Sequence, residues 1–460
     1  MLQHKLTSRT ARIGVVGLGY VGLPLALLCN RRGYAVTGIE KNEEKVEQLR
    51  RGESYVVNIA DSDVRTFMKK PGNTVTSNLG ACRECDVVLV CTPTPLTDRG
   101  QPDYSHLFGV LEGMSERMRR HQLIVIESTV GPGTTELEIL PRLEEGRSPV
   151  GEGFFLAYSP ERVDAGDAQL SLEHVPKLVS GVTDECCRLA RIFYGGLGIS
   201  TVDTSAPIIA EMAKLLENTY RDVNIALINE TARICGANGI DIWEVISAAS
   251  TKGHGFQPFY PGAGVGGHCI PVDSVYYSTW ARSTGHAASL ADLSRQINAS
   301  MPEYAADRIE QVLHRKGIDP RRARILFLGV TYKKDVNDAR QSPAASVIRI
   351  LRRRGTRVDF HDPFVHRLTL LGQTVERVPV DGIARSDYDC VVLAVAHSCY
   401  ELGQIVRLGT LMVDFTGSFA RRSGNDNAFD LFDASSTWGD RRRSVDQACA
   451  RSESVDCNES

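Results

Sequence analysis

The chain has 460 residues, 42% of them apolar and 24% charged, with a formal net charge of -3. That length exceeds one ordinary core and calls for two or three domains of a soluble globular protein. The near-neutral balance argues against nucleic acid or an anionic membrane surface as partner. No apolar run approaches the roughly 20 residues of a membrane span, so no membrane partner is expected. The 12 cysteines are scattered, with no secretory signal ahead of them, and read as reduced thiols of a cytoplasmic protein. Cys82 and Cys85 form one C-x-x-C, but no second pair stands at zinc-ribbon spacing, so no metal is expected.

The first segment, residues 1–204, opens with a β-branched run from Arg12 that enters G-x-G-x-x-G at Gly17, Gly19 and Gly22. Leu23–Arg32 then reads as a helix stopped by Gly33, and Tyr34–Ile39 as a second strand. Glu40 follows, 23 positions after Gly17. Strand, glycine turn, helix, strand and acid in this order form a dinucleotide fingerprint: helix amides face the pyrophosphate and the acid binds ribose hydroxyls. Leu18, Tyr20 and Val21 complete the turn. Glu40 repels a 2′-phosphate, which favours NAD over NADP, although Lys41 stands beside it. Further strands at Asp86–Cys91 and Leu123–Glu127 end in small polar residues. Ligands of open parallel sheets bind beyond the carboxyl ends of strands, so Thr92 and Thr129 are candidate cofactor contacts. Phe154–Ser159 is another strand, followed by Glu161 and Arg162. Spacing leaves open whether those two form a surface ion pair or reach the site.

From Ala206 to Ala237 the chain reads as one long helix, with Lys214 and Asn218 four residues apart on one face. A shorter helix over Gly239–Ala249 leads to Pro261-Gly-Ala-Gly-Val-Gly-Gly-His-Cys-Ile-Pro-Val-Asp273. Gly262, Gly264, Gly266 and Gly267 read as a loop shaped around a ligand, and Cys269 as a candidate nucleophile. The alternative at this point is a tight turn carrying an inert cysteine. If Lys214 and Asn218 face Cys269, they supply donors to an oxyanion. Residues 289–316 read as helical again.

In the third segment, strands at Arg324–Val330, Thr356–Phe360, Cys390–Ala396 and Leu411–Phe415 alternate with helical stretches. This is a second doubly wound α/β domain without G-x-G-x-x-G, one that does not grip a dinucleotide as the first does. Residues 421–460, rich in Ser, Asp and Arg, read as a mostly disordered tail.

Over roughly residues 10–415 the chain resembles the UDP-glucose/GDP-mannose dehydrogenase family, the nucleotide-sugar 6-dehydrogenases. The matching motifs are Gly17-Leu-Gly-Tyr-Val-Gly22, Cys91-Thr-Pro-Thr94, Ser128-Thr-Val130, Ser159-Pro-Glu-Arg162 and Lys214-Leu-Leu-Glu-Asn218. With them go Gly266-Gly-His-Cys-Ile-Pro-Val-Asp273, and Tyr332-Lys333 with Asp338, Arg340 and Ser342-Pro343. The Gly-Gly-His-Cys-Ile-Pro form is nearest the UDP-N-acetylglucosamine and N-acetylmannosamine branch. Lys252-Gly-His-Gly255, Ser274-Val275 and Val413-Asp-Phe-Thr-Gly417 depart from the family's usual forms, and none removes a residue of its catalytic set.

The resemblance implies an α/β fold of two Rossmann-like doubly wound domains joined by a long central helix. The divisions are an NAD-binding domain at 1–204, a helical dimerisation domain carrying the cysteine loop at 205–318, and a UDP-sugar-binding domain at 319–420. It implies a homodimer or higher homo-oligomer that makes uronic acid for polysaccharide biosynthesis. The implied chemistry is a four-electron oxidation of the sugar C6 hydroxyl through a thiohemiacetal and a thioester on Cys269. Lys214 and Asn218 match the oxyanion donors, Asp273 the water-activating carboxylate and Glu161 the second acid. Arg162, Phe259, Tyr260, Gly262, Gly266 and Lys333, with Glu161, Lys214 and Asn218, match the UDP-sugar contacts. Glu40, Lys45, Thr92, Thr129 and Arg340 join the glycine turn as NAD contacts.

Overall fold

A computed structural model describes residues 1–56, 59–145, 149–162, 173–379, 388–401, 411–418 and 427–432. The chain forms two compact units: Met1–Thr219 with Val272–Ala288, and Tyr220–Pro271 with the described residues from Ser289 onward.

The first unit is built on β1 (Arg12–Val16), β2 (Ala35–Ile39), β3 (Thr74–Thr76), β4 (Val87–Val90), β5 (Leu123–Ile126), β6 (Phe155–Tyr158), β7 (Lys177–Gly181) and β8 (Thr201–Asp203). They form one sheet in the order β3-β2-β1-β4-β5-β6-β7-β8. Neighbours are parallel except β6 and β7, which run antiparallel. β4, β5 and β6 are buried at every residue, as apolar runs covered on both faces should be. Alternate residues feed two cores: Val87, Leu89, Leu123 and Val125 pack with Leu28 and Phe193, while Val88, Val90, Ile124 and Ile126 pack with Leu111 and Leu143. Strand order reverses between β1 and β4, and in open α/β sheets ligands bind at such a switch point.

The second unit holds β9 (Arg324–Leu328), β10 (Arg357–His361), the hairpin of β11 (Arg367–Leu370) and β12 (Gln373–Glu376), then β13 (Cys390–Leu393), β14 (Leu411–Asp414) and β15 (Ala428–Asp430). Its parallel five-stranded sheet runs β10-β9-β13-β14-β15, so its order reverses between β9 and β13. The doubly wound pair of sheets expected from the sequence is present.

Two outcomes differ from the sequence reading. Residues 205–318 do not form a compact unit of their own, because the 32-residue helix Pro207–Asn238 belongs to the first unit up to Thr219 and to the second from Tyr220. The segment 427–432, read as disordered, forms the edge strand β15. Leu431 and Phe432 are buried there, and Phe432 stacks on Tyr304 with ring centroids 5.9 Å apart. A short Ala-Phe-Asp-Leu-Phe run buries enough apolar surface to order itself within a polar stretch. The rest of the predicted tail lies outside the described residues.

Candidate active site

In the first unit each glycine of the turn after β1 meets a different demand. Gly17 has φ +87°, and a Cβ there would stand 2.7 Å from the Cys91 carbonyl oxygen at the end of β4. A Cβ on Gly22 would stand 1.8 Å from the Gly17 carbonyl oxygen, so helix Gly22–Arg31 starts directly against the turn. A Cβ on Gly19 would meet nothing within 4 Å, so its face is open. A tight turn, close helix packing and an open backbone are the requirements of a pyrophosphate cradle.

Glu40, half-buried at the end of β2, accepts the Leu18 N–H at 3.0 Å and the Asn42 N–H at 3.1 Å. A carboxylate has about four lone-pair sites, which leaves capacity for ribose hydroxyls. Tyr55 donates its hydroxyl to the Leu18 carbonyl at 2.7 Å, and the Lys45 ammonium sits 5.0 Å from the centroid of that ring. Lys45 therefore reaches the turn through Tyr55, which the sequence reading missed. Tyr20 and Val21 are half-buried beside Gly19.

The ends of β4 and β5 are laced together. The Ser128 hydroxyl donates to the Thr92 carbonyl at 2.7 Å, and the Thr94 hydroxyl donates to the Thr129 carbonyl at 2.7 Å. Glu211, fully buried on the long helix, accepts the N–H groups of Gly133 at 2.5 Å and Thr135 at 2.9 Å, fixing the loop beyond Thr129. Burial pushes its carboxyl up to about 7. These residues fit NAD.

The first unit also holds Glu161, Lys214, Asn218 and Asp273, as two hydrogen-bonded pairs along the long helix. Lys214 and Asn218 follow each other by one turn of the long helix. The Lys214 ammonium donates to the Glu161 carbonyl at 2.6 Å, and the Asn218 amide donates to the Asp273 carboxylate. Asp273 and Asn218 are buried. Arg162 binds Glu217 at 2.5 Å and the Pro176 carbonyl at 2.7 Å, so it braces the same helix face.

Cys269 belongs to the second unit. It is exposed, its sulfur lies 3.5 Å from His268 Nδ1, and it directly precedes helix Ile270–Ser283, whose first turn carries Asp273. A helix N-terminus favours negative charge, which suits a thiolate. The glycine loop before it is closely packed at two of its positions. A Cβ on Gly266 would stand 2.6 Å from Pro343 and 2.8 Å from Tyr332, and one on Gly267 2.9 Å from the Tyr332 ring. These two glycines admit the protein's own side chains against their α-carbons. Gly262 does face open space, and its N–H donates to Asn229 at 2.9 Å. Asn229 continues through Asn298 to Asp222, a buried polar chain that fixes the Phe259–Gly262 backbone. Phe259 packs edge-on against Tyr220, and Tyr260 stacks on Trp243. Lys333 is half-buried on the loop after β9, and Arg340, also of the second unit, is paired with Asp338 at 2.7 Å.

The glycine turn, its acid and the doubly wound sheets define an NAD-dependent dehydrogenase. Residues 11–195, 209–300 and 326–418 match the NAD binding, central and UDP binding domains of the UDP-glucose/GDP-mannose dehydrogenase family, and the chain belongs to that family. It is 34% identical over 389 residues to a UDP-N-acetyl-D-glucosamine 6-dehydrogenase of Pseudomonas aeruginosa, covering 84% of this chain and 90% of that one. It is 33% identical to a UDP-N-acetyl-D-mannosamine dehydrogenase of Pyrococcus horikoshii, covering 84% of this chain and 89% of that one. A solved structure of the UDP-D-ManNAc dehydrogenase from Pyrococcus horikoshii superposes with a TM-score of 0.81 at 30% identity, covering 92% of this chain and 99% of that one. Among the described residues, no helix is long and apolar enough to cross a membrane.

Proposed function

We propose that this protein oxidises the C6 hydroxyl of a UDP-N-acetylhexosamine to the carboxylate, with UDP-N-acetylglucosamine favoured and UDP-N-acetylmannosamine next. The observation that carries the reading is a pair of hydrogen bonds one helical turn apart, Lys214 to the Glu161 carbonyl and Asn218 to Asp273. NAD, when bound, supplies the hydride acceptor for both two-electron steps. Cys269 adds as thiolate to the aldehyde carbon of the first product, which retains it as a thiohemiacetal. After the second hydride leaves, the resulting thioester is split by water, which restores the thiolate and releases the acid. Lys214 and Asn218 donate to the oxygen that gains charge at that carbon. Asp273 activates the water, with Glu161 as the second acid. Lys333, Arg162, Gly266 and the Phe259–Gly262 backbone hold the sugar nucleotide, and Arg340 contributes to the cofactor.

The long helix supports a homodimer or higher homo-oligomer. Ile209, Leu216, Tyr220, Leu227 and Ile234 recur along it at intervals of four or seven and are 47–59% exposed, a stripe suited to a second copy. We place the protein in the cytoplasm, supplying a uronic acid for polysaccharide biosynthesis.

The test is NADH released per sugar consumed with UDP-N-acetylglucosamine, UDP-N-acetylmannosamine and UDP-glucose. Two NADH per N-acetyl sugar, and loss of acid formation in Cys269→Ser, are expected. Turnover of UDP-glucose alone would overturn the sugar assignment and keep the chemistry. One NADH per sugar would overturn the thioester route. No NADH with any of them would favour a non-catalytic NAD-binding scaffold.

A further inference from the structure

Behind Glu161 lies a buried charge cluster that none of the sequence motifs contains. Lys177 opens β7, and its ammonium is 2.6 Å from Glu127 Oε2, 3.5 Å from Glu161 Oε2, and donates to the Pro160 carbonyl at 3.2 Å. The Tyr194 hydroxyl donates to the other oxygen of Glu127. Lys177, Glu127 and Tyr194 are 4%, 2% and 0% exposed.

Topology explains how they meet. Every strand from β1 to β6 runs parallel, so their carboxyl ends lie along one edge of the sheet. β7 reverses, with Tyr158 opposite Ser180 and Ala157 opposite Gly181. The start of β7 therefore lies beside the end of β6, from which Pro160 and Glu161 emerge. An all-parallel sheet would leave that lysine at the opposite edge.

Glu161 is consequently fixed from several sides. Its carbonyl accepts from Lys214, its Oε1 accepts the Arg162 N–H at 2.7 Å, and its Oε2 faces Lys177. Burial pulls the Lys177 ammonium down, but attraction from Glu127 and then Glu161 outweighs this and holds it above its ordinary value. Burial also pushes the Glu127 carboxyl up, against the pull of Lys177. Among the described residues, the titratable neighbours also include the half-buried Cys91, Tyr194, Lys214 and Arg162, whose guanidinium is engaged by Glu217.

We propose that Lys177 is a positioning residue for the reaction: a buried ammonium, paired with the Glu127 carboxylate that Tyr194 holds, that orients the Glu161 carboxylate. Through Pro160 and Glu161 it also sets the carbonyl on which Lys214 rests. The inference deepens the role proposed above for Glu161 and rests on it.

Lys177→Met alone strands the buried Glu127 charge and risks unfolding. The decisive variant is therefore Lys177→Met combined with Glu127→Gln, which leaves no unpaired charge and keeps a partner for Tyr194. With the sugar nucleotide that gives turnover, kcat should fall by about 10- to 100-fold, as misplacement of a catalytic group does. KM for NAD should stay within about 3-fold, under the 10-fold that 1.4 kcal/mol represents. Lys177→Arg, which keeps the charge, should restore most of kcat. Parent kcat in the folded double variant would overturn the inference. Glu161→Gln separates the two readings: if it keeps parent kcat, the role of Glu161 falls. If it is impaired while the double variant is not, only the positioning role of Lys177 falls.

Discussion

The two switch points of this chain are built alike and used differently. In the first unit Gly17 takes φ +87°, its N–H donates to the Ile39 carbonyl at 2.8 Å, and Glu40 after β2 accepts the Leu18 N–H. In the second unit Gly329 takes φ +81°, its N–H donates to the His361 carbonyl at 2.9 Å, and Asp362 after β10 accepts the Val330 N–H at 2.7 Å. A Cβ on Gly329 would stand 2.5 Å from the Val395 carbonyl oxygen, as one on Gly17 would meet Cys91. The two acids then part company. Asp362 is fully buried, also accepts the N–H groups of Phe364 and Val365, and lies 3.1 Å from His397 Nε2. His397 Nδ1 accepts the Asp335 N–H at 3.0 Å, so the ring proton sits on Nε2 and is donated to Asp362. With about four acceptor sites all engaged, Asp362 has none left for a ribose. The helix that follows starts at Gly22 in the first unit but only at Pro343 in the second. One backbone device leaves its acid open to further partners, and its counterpart anchors the loop that carries Lys333.

The sharpest way to break this comparison is to remove both acids. Asp362→Ala strands His397 and three backbone N–H groups in the core, and should cost about 3–5 kcal/mol in denaturant unfolding of the second unit. Glu40→Ala should leave stability within about 0.5 kcal/mol, as a half-exposed site with few partners does. Equal stability losses would end the distinction.

A second test uses pH, because the two units bury carboxyl groups whose pKa values are displaced in opposite directions. Burial opposes ionisation of Asp362, but His397 and the backbone amides hold its pKa below the ordinary value. Its stabilisation is present above the unfolded-state pKa and is lost as pH falls through the folded one. Glu211 is raised from 4.5 to about 7, so its protonated form stabilises the fold at low pH, and that contribution is lost as pH rises through about 7. The stability difference between Glu211→Gln and the parent should therefore shift toward the variant by about 3 kcal/mol as pH rises from 4.5 to 8. No shift would mean that the two amide hydrogen bonds keep Glu211 ionised throughout.

The first switch point was legible in the sequence because its parts are local: strand, turn, helix, strand and acid lie within residues 12–40. Its counterpart was not, because Asp362, Asp335 and His397 come from three separate loops. The cysteine loop was legible as a motif, but its packing against Pro343 and Tyr332 was not, since those residues come from far along the chain. Lys177 and Glu127 stand 50 residues apart and meet only because β7 reverses, which no periodicity announces. Glu211 looked like one more polar residue of a long helix, and only the loop it caps reveals its place.

Cofactor affinity sharpens the comparison from the open side. Glu40→Gln replaces the charged acceptor proposed for ribose hydroxyls by a neutral one. It should weaken NAD by about 10- to 100-fold, the size of a hydrogen bond to a charged group of about 1.5–3 kcal/mol. Gly19→Ala should weaken NAD without lowering thermal stability, because the added methyl meets no protein atom and intrudes only on the pyrophosphate approach. A stability loss in that variant would show that the turn, like the one at Gly329, is closed by packing.

The smallest effect is expected at Lys45. Its ammonium over Tyr55 steadies the ring whose hydroxyl holds the Leu18 carbonyl, a support that Asp362 and His397 supply in the second unit. A half-exposed cation–π contact is worth about 0.5–1 kcal/mol, so Lys45→Met should raise the Kd for NAD by only about 2- to 5-fold. Tyr55→Phe should produce a change of similar size, and the double variant little more, because both act through Leu18. A loss beyond about 10-fold in Lys45→Met alone would instead assign its charge to the cofactor itself, since steadying the ring accounts for less than the 1.4 kcal/mol that such a loss represents.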